Sequence, residues 1–307
     1  MTLECLRTQT YPNLDVLISV DGTDEATAEA CRPFLSDPRF RLHFQPVRHG
    51  WAGNLGFTMK ERKGEFFIFQ QHDDQVSPTY VADLVEAAER WPQASICYAE
   101  MEVSGQSNFT ARDDPILGDP IARALAHMEL LRTSMFRGLI RGSAIDQSDG
   151  LLDDEFEGFS TFHRLMAELA LAGEFRFVEG PTYYKRIHGK NLHLKWHDWP
   201  EERKRAAWAV LAAAMIEVIV PAGPTAEFRL DVLSSILERF LVLRDGRWIF
   251  CQVDNNDTAA RADLLRMIID TVRSRGRFDA VTQLQMPWAT LEQLAHSRWN
   301  CSQESAT

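Results

Sequence analysis

Two adjacent carboxylates, Asp73 and Asp74, follow an apolar stretch of the sequence, Glu65 to Gln70. Such a stretch is typical of a buried strand, and open parallel sheets bind ligands at the carboxyl ends of their strands. A carboxylate pair at that place can hold a hard divalent cation, Mn2+ or Mg2+, which in turn neutralises a diphosphate. An Asp-Asp pair before Ser77-Pro78 is also typical of a turn and a helix cap, so the pair alone leaves both interpretations open.

The elements that position these carboxylates alternate along the chain. Leu14 to Val20 and Ser95 to Met101 are apolar runs of strand length, and Ser77-Pro78 opens an amphipathic helix that Pro92 ends. Alternation of this kind is typical of parallel crossovers. We therefore predict an α/β fold with a doubly wound, mostly parallel sheet and helices on both faces.

The pattern changes to helices after about Asp198, with helices predicted at Glu201 to Val220, Ala226 to Arg244 and Thr258 to Ser274. We predict two domains, an α/β domain at 1–198 and a helical extension at 199–307. The most apolar run, Trp208 to Val220, is shorter than the ~20 residues that a bilayer requires, which favours a buried helix. A face that rests on a membrane, a partner or a second copy of the chain is the alternative.

Composition restricts the partners of the protein. The 307 residues carry a net charge of −11. This charge argues against nucleic acid as a partner, because like charges repel. The five cysteines are scattered without metal-ligand spacing, so we interpret them as reduced thiols and predict a cytoplasmic protein.

Several short motifs follow one another along the first part of the chain. They are Gln9-Thr10-Tyr11-Pro12-Asn13, Asp21-Gly22, the glycine- and asparagine-containing segment from Arg48 to Gly56, Gly64-Glu65, and the Asp73 region. Their order and spacing resemble the family 2 glycosyltransferases of the GT-A fold, closely over residues 3–92 and more loosely over 136–192. The resemblance implies a GT-A-like domain that uses a nucleoside-diphosphate sugar and a divalent metal.

The resemblance also implies roles for residues of the first half. Asp21 would contact the base or ribose, and Gly50 and Asn54 would lie beside the nucleotide. Asp73 matches the usual metal ligand of the family. Gln71 stands where the family has another aspartate.

A neutral Gln71 amide can accept a hydrogen bond from a ribose hydroxyl, but it adds no charge to a metal site. Asp74 is the residue that would compensate as a second metal-binding carboxylate.

A later segment, Tyr183 to Asn191, resembles the family's Tyr-Arg-X-His segment. The resemblance implies that His188 meets the metal or the diphosphate. Lys185 and Arg186 would add positive charge for phosphate oxygens. A solvated loop histidine is the alternative for His188.

The sequence departs from the family at two places. The family's first strand is missing before Leu3, and it would lie between the strands predicted at 14–20 and 65–70; we expect a start upstream or a shortened, weakened form. The family's general base would fall at Thr161-Phe162, which cannot accept a proton. Glu157 is our choice of base, with Glu155 and Asp154 as alternatives.

The resemblance implies an inverting transfer of a sugar to a hydroxyl of a glycan or other acceptor, with residues 102–160 shaping the acceptor site. A non-catalytic module that binds a nucleotide sugar or a glycan is the rival, and the two departures favour it. A nucleotidyltransferase would need a basic, glycine-rich triphosphate loop near its start, which we do not find.

Overall fold

The computed structural model describes residues 1–150, 156–159, 161–189, 192–242, 251–291, 293 and 297. It divides into two compact units. The first comprises Met1–Arg123 and Arg132–Leu194, and the second comprises Ala124–Leu131 and Lys195–Thr307. The second unit thus begins a few residues before the predicted boundary at 198/199. It also takes Ala124–Leu131 from within the predicted first domain.

The first unit contains all the described strands. They are β1 (Val16–Val20), β2 (Phe40–Phe44), β3 (Phe66–Ile68), β4 (Gln75–Val76), β5 (Ala94–Gly105), β6 (Phe109–Ala111), β7 (Leu139–Arg141) and β8 (Glu174–Ile187). β1 and β2 form a parallel pair of their own. The other six form one sheet in the order β3-β7-β5-β8-β4, with β6 paired to β5.

Eight helices lie before, between and after these strands in the described sequence. They are α1 (Thr2–Arg7), α2 (Glu25–Cys31), α3 (Gly50–Lys60), α4 (Tyr80–Arg90), α5 (Pro120–Leu130), α6 (Gly142–Asp146), α7 (Thr161–Ala172) and α8 (Leu192–His197). The predicted α/β fold is confirmed, because helices and strands alternate as the hydrophobic pattern indicates. α4 shows why: its apolar residues recur at helical spacing and are buried against β5 and β8.

The prediction of a mostly parallel sheet needs correction. β5 and β8 pair in parallel, but β3 with β7, β5 with β7, β5 with β6, and β4 with β8 pair antiparallel. β3, β5 and β8 therefore run the same way, as their crossovers require, and β7 is inserted between two of them in the opposite direction. The link from β3 to β4 is too short for a crossover helix, and β4 runs opposite to β8.

The strand that the sequence reading expects between 14–20 and 65–70 corresponds to a break in the sheet. β1 and β3 belong to separate sheets, and each pairs with a described strand on one side only. Apart from Val20, the apolar residues of β1 and β3 are only partly buried, whereas Ala94 to Tyr98 of β5 are buried. The break therefore leaves apolar strand surface beside both elements that lead into the candidate site.

The second unit is helical, with α9 (Glu201–Ile219), α10 (Ala226–Leu241), α11 (Thr258–Arg275) and α12 (Ala280–Leu284). The helical part predicted after residue 198 is confirmed. Glu201–Ala222 is long and apolar enough to cross a membrane, but 72% of its apolar window is buried inside the protein. Within this unit the Trp208 indole donates to the Phe240 carbonyl, and Arg275 pairs with Glu217 at 2.7 Å.

No disulfide is present among the cysteines that the structure describes. Cys5, Cys31, Cys97 and Cys251 are free thiols, and Cys301 lies outside the described residues.

Candidate active site

An aspartate–histidine pair lies at the carboxyl edge of the six-stranded sheet. β4 pairs antiparallel with β8, which brings the loop after β3 to the end of β8. There the Asp73 Oδ2 and His188 Nε2 atoms are 2.9 Å apart, and both side chains remain partly exposed. The structure thus brings together two of the three predicted metal-binding residues.

The geometry of this pair fits a divalent cation. Ions such as Mg2+ bind oxygen at about 2.1 Å in an octahedral arrangement, so neighbouring ligands lie about 3 Å apart. Imidazole and carboxylate are both suitable ligands for Mn2+. No group of three or more His, Cys, Asp or Glu side chains in the described ranges could hold an ion. A cation bound to Asp73 and His188 would therefore need its remaining ligands from a substrate or from water.

Asp74 has a different environment from Asp73. Its side chain is only 1% exposed, and burial raises the pKa of its carboxyl. Its Oδ2 accepts from the Tyr183 hydroxyl at 2.7 Å, and its Oδ1 accepts from the Arg186 backbone N–H at 3.0 Å. Both oxygens thus accept hydrogen bonds from β8. We therefore correct the predicted metal role of Asp74 to a structural one, in which its buried carboxylate holds the loop after β3 against β8.

The two basic residues of β8, Lys185 and Arg186, also have different environments. Lys185 is partly buried. Its burial is the main cause that lowers the pKa of its ammonium group, and the nearby charge of Arg137 lowers it further, while Asp74 and Asp73 act in the opposite direction. Lys185 therefore shares one electrostatic site with both aspartates. Arg186 gives its backbone N–H to Asp74, and its side chain is exposed on the other face of the strand.

Gln71 is held by Arg137, a residue that the sequence reading missed. Arg137 Nη2 donates to Gln71 Oε1 at 3.0 Å. Because a guanidinium only donates, the amide oxygen faces Arg137 and the amide NH2 group faces away. Arg137 uses one lone pair of this oxygen, and the role of Gln71 as an acceptor for a ribose hydroxyl stays a prediction. The one local signal for Arg137 is a charged residue within the apolar run Phe136 to Ile140.

The predicted nucleotide-binding residues form a second group around the end of β1. Asp21 Oδ1 accepts from the His49 backbone N–H at 2.7 Å. Gly50, at the start of α3, has φ +72°, which favours glycine. Asn54 Oδ1 accepts from the Ser19 hydroxyl at 2.6 Å, and Asn54 Nδ2 donates to the Ser19 carbonyl at 3.2 Å. Asn54 thus ties α3 to β1, a structural role that the sequence reading did not predict.

The predicted base, Glu157, lies in a described turn of residues 156–159. Its carbonyl accepts from the Trp51 indole at 3.0 Å, which places the turn beside the start of α3. Phe162, where the family's base would fall, stacks on Trp51 instead. The alternatives Asp154 and Glu155 lie outside the described residues.

Comparison with known proteins identifies the first part of the chain. The family model described as Glycosyl transferase family 2 matches residues 1–146. Residues 1–146 thus resemble a family 2 glycosyltransferase domain. This domain contains Asp21, Gly50, Asn54, Gln71, Asp73 and Asp74. The other candidate residues, Glu157, Lys185, Arg186 and His188, follow the matched region.

The curated proteins that resemble this chain are distant in sequence. EpsH of Bacillus subtilis (strain 168) is 26% identical over 230 residues, which cover 70% of this chain and 64% of that protein. Glycosyltransferase GlyA of Streptococcus pneumoniae serotype 4 is 26% identical over 82 residues, 27% of this chain and 12% of that protein. The matches thus span less than two thirds of either curated relative.

Solved structures share the fold. The crystal structure of S. aureus TarS 1–349 has a TM-score of 0.64 at 12% identity, covering 89% of this chain and 77% of that one. The complex of TarS 1–349 with UDP-GlcNAc has a TM-score of 0.63 at 13% identity, with the same coverage. At this identity the likeness supports the GT-A-like fold expected from the motifs of the first half.

Proposed function

We propose that the protein transfers a sugar from a nucleoside-diphosphate sugar to an acceptor hydroxyl, with inversion at the anomeric carbon and with help from a divalent metal. The observation that carries the proposal is the Asp73–His188 pair at 2.9 Å, beside Lys185 at the carboxyl edge of the sheet. The fold likeness to a TarS structure solved with UDP-GlcNAc supports a donor of this class.

Each group has a role in the proposed reaction. Asp73 and His188 would hold Mn2+ or Mg2+, and the bound ion would neutralise charge on the diphosphate leaving group. Lys185 would add a second positive charge for phosphate oxygens. Asp21 and the backbone at Gly50 would contact the nucleoside.

One carboxylate is enough to account for the proton transfer and the bond changes of the proposed reaction. Glu157 would accept the proton of the acceptor hydroxyl as its oxygen attacks the anomeric carbon. The new glycosidic bond forms on the face opposite the breaking carbon–oxygen bond, whose electron pair leaves with the nucleoside diphosphate. This single displacement is why we propose inversion.

A non-catalytic module that binds a nucleotide sugar or a glycan is the second candidate. Phe162 favours it, because an aromatic ring stacked on Trp51 at 4.6 Å occupies the place where the family's base would fall. The two candidates share a nucleotide site and differ in turnover.

A thermal-shift screen tests the nucleotide site. The purified chain is heated with UDP, GDP, TDP or CDP, with and without Mn2+. A ligand that binds only the folded state stabilises it by about 2.7 kcal/mol at a hundredfold excess over its Kd. A Mn2+-dependent shift with one nucleotide supports the proposal, and no shift with any nucleotide contradicts it. Release of nucleoside diphosphate from the matching sugar donor then separates transfer from binding alone.

A further inference from the structure

The turn that carries Glu157 has an unusual backbone. Glu157 has φ +49° and Gly158 has φ +74°, so two successive residues adopt the left-handed conformation. This conformation is natural for glycine but unfavourable for a residue with a Cβ atom. Strained residues of this kind persist where the surroundings hold them, and they cluster at functional sites. Something in the surroundings must therefore hold Glu157 in place.

The Trp51 side chain supplies two contacts that hold this turn. Its indole N–H donates to the Glu157 carbonyl at 3.0 Å. Its ring also fills the space beside Gly158, where an added Cβ would lie 2.1 Å from Trp51 Cζ2. One side chain thus fixes the carbonyl of the strained residue and requires glycine at the next position.

Trp51 is itself fixed on its other side. Its ring stacks on Phe162, with centroids 4.6 Å apart and planes 21° apart, and Phe162 packs against Phe136 at 4.6 Å. Trp51 also directly follows Gly50 in the first turn of α3. The indole therefore connects the proposed nucleotide-binding end of α3 to the Glu157 turn and to the start of α7.

We infer that Trp51 is a positioning residue: it sets the Glu157 carboxylate for proton transfer and links that carboxylate to a nucleotide bound beside α3. The inference rests on the proposed function, since it assigns Glu157 the role of base. In the proposed reaction Trp51 does not touch the reacting atoms. It acts through the backbone of residues 157 and 158.

The variant Trp51→Phe separates this role from simple packing. Phenylalanine keeps an aromatic ring for Phe162 but cannot donate to the Glu157 carbonyl. The measurements are Kd for the nucleotide that gives the largest thermal shift, and kcat and KM for transfer. Because small misplacements of reacting groups lower rates strongly, kcat should fall ~10–100-fold while Kd and KM for the donor change little. Trp91→Phe, at the end of α4, is the matched control and should leave all three unchanged.

A double-variant cycle tests the link to Glu157 itself. If Trp51 acts through Glu157, the loss caused by Trp51→Phe should disappear in a Glu157→Gln background, because the two residues work as one unit. An equal loss in both backgrounds, or an unchanged kcat in Trp51→Phe, overturns the inference.

Hydrogen exchange tests the turn without requiring activity. The Phe159 N–H donates to the Phe156 carbonyl at 2.9 Å within this turn. Its exchange should accelerate in Trp51→Phe and stay at the original rate in Trp91→Phe, because local opening controls exchange. Unchanged exchange in Trp51→Phe overturns the inference even if the protein transfers sugar. A protein that shows the expected exchange but neither binds nucleotide nor transfers sugar would instead contradict the proposed function.

Discussion

The Arg137 guanidinium donates from Nη2 to Gln71 Oε1 across 3.0 Å. Arg137 is only 7% exposed, and within the described part of the chain no carboxylate forms an ion pair with it. Gln71 thus satisfies one N–H of Arg137 without neutralising its charge. The nearby Asp74 carboxylate, whose pKa Arg137 lowers against the effect of burial, offsets part of the cost of burying this charge, and an anionic ligand would offset more. The pair therefore suits a site that receives an anionic group such as a diphosphate.

The substitution Gln71→Glu should weaken binding of the nucleoside diphosphate by ~10-fold or more, because a new carboxylate would pair with Arg137 and the Gln71 NH2 donor would be lost. The Kd from calorimetry measures this effect. Gln147→Glu adds the same charge at an exposed position in the same unit and should leave Kd unchanged. Equal effects of the two substitutions would show that net charge, rather than the Gln71–Arg137 pair, controls binding.

Asp73→Ala and Asp74→Ala should have opposite consequences. Loss of Asp73 removes a partly exposed carboxylate and should abolish Mn2+-dependent nucleotide binding with little change in stability. Loss of Asp74 leaves the Tyr183 hydroxyl and the Arg186 N–H without their acceptor, which should lower the free energy of unfolding by about 2–4 kcal/mol. Urea unfolding and the thermal shift with Mn2+ measure the two effects.

Two results would contradict these predictions for Asp73 and Asp74. An Asp73→Ala variant that keeps its Mn2+-dependent shift would remove Asp73 from the proposed metal site. An Asp74→Ala variant as stable as the original protein would show that the two hydrogen bonds to β8 contribute little.

The surroundings of these neighbouring aspartates were predicted only in part from the sequence. The apolar strand before them and the amphipathic α4 after them follow from local periodicity, which the sequence displays directly. The two carboxylates look equivalent in sequence, but Asp73 lies in a turn and Asp74 directly precedes β4. Asp73 meets His188 on one side, and Asp74 is buried under Tyr183 on the other. Only the pairing of β4 with β8 determines which aspartate meets His188 and which is buried against Tyr183.

The pairing of distant strands was the part that local patterns could not supply. The sequence predicts short strands at Phe175 to Val178 and Tyr183 to Arg186, whereas the structure has one strand, β8, over Glu174–Ile187. The parallel partner β5 holds β8 together across a register irregularity near Tyr98. Arg137 was missed for a similar reason, because its partner Gln71 lies 66 positions away.

Glu168 should make the stability of the protein depend on pH. Burial raises the pKa of this α7 carboxyl from the ordinary 4.5 to about 7, with Arg164 acting in the opposite direction and Asp149 in the same one. The folded protein therefore keeps a proton that the unfolded chain releases between those values. Stability should be highest below about pH 4.5 for this group and should fall as pH rises to about 7, by up to about 1.4 kcal/mol per pH unit.

Glu168→Gln removes the titrating group, so this fall in stability should be absent from the variant. Urea unfolding between about pH 5 and pH 8 measures the free energy of unfolding of both proteins through the relevant window. Glu89→Gln, at an exposed position of α4, is the control and should keep the slope of the original protein. A Glu168→Gln variant with that same slope would show that Glu168 is ionised in the folded state at neutral pH, with Arg164 compensating fully for its burial.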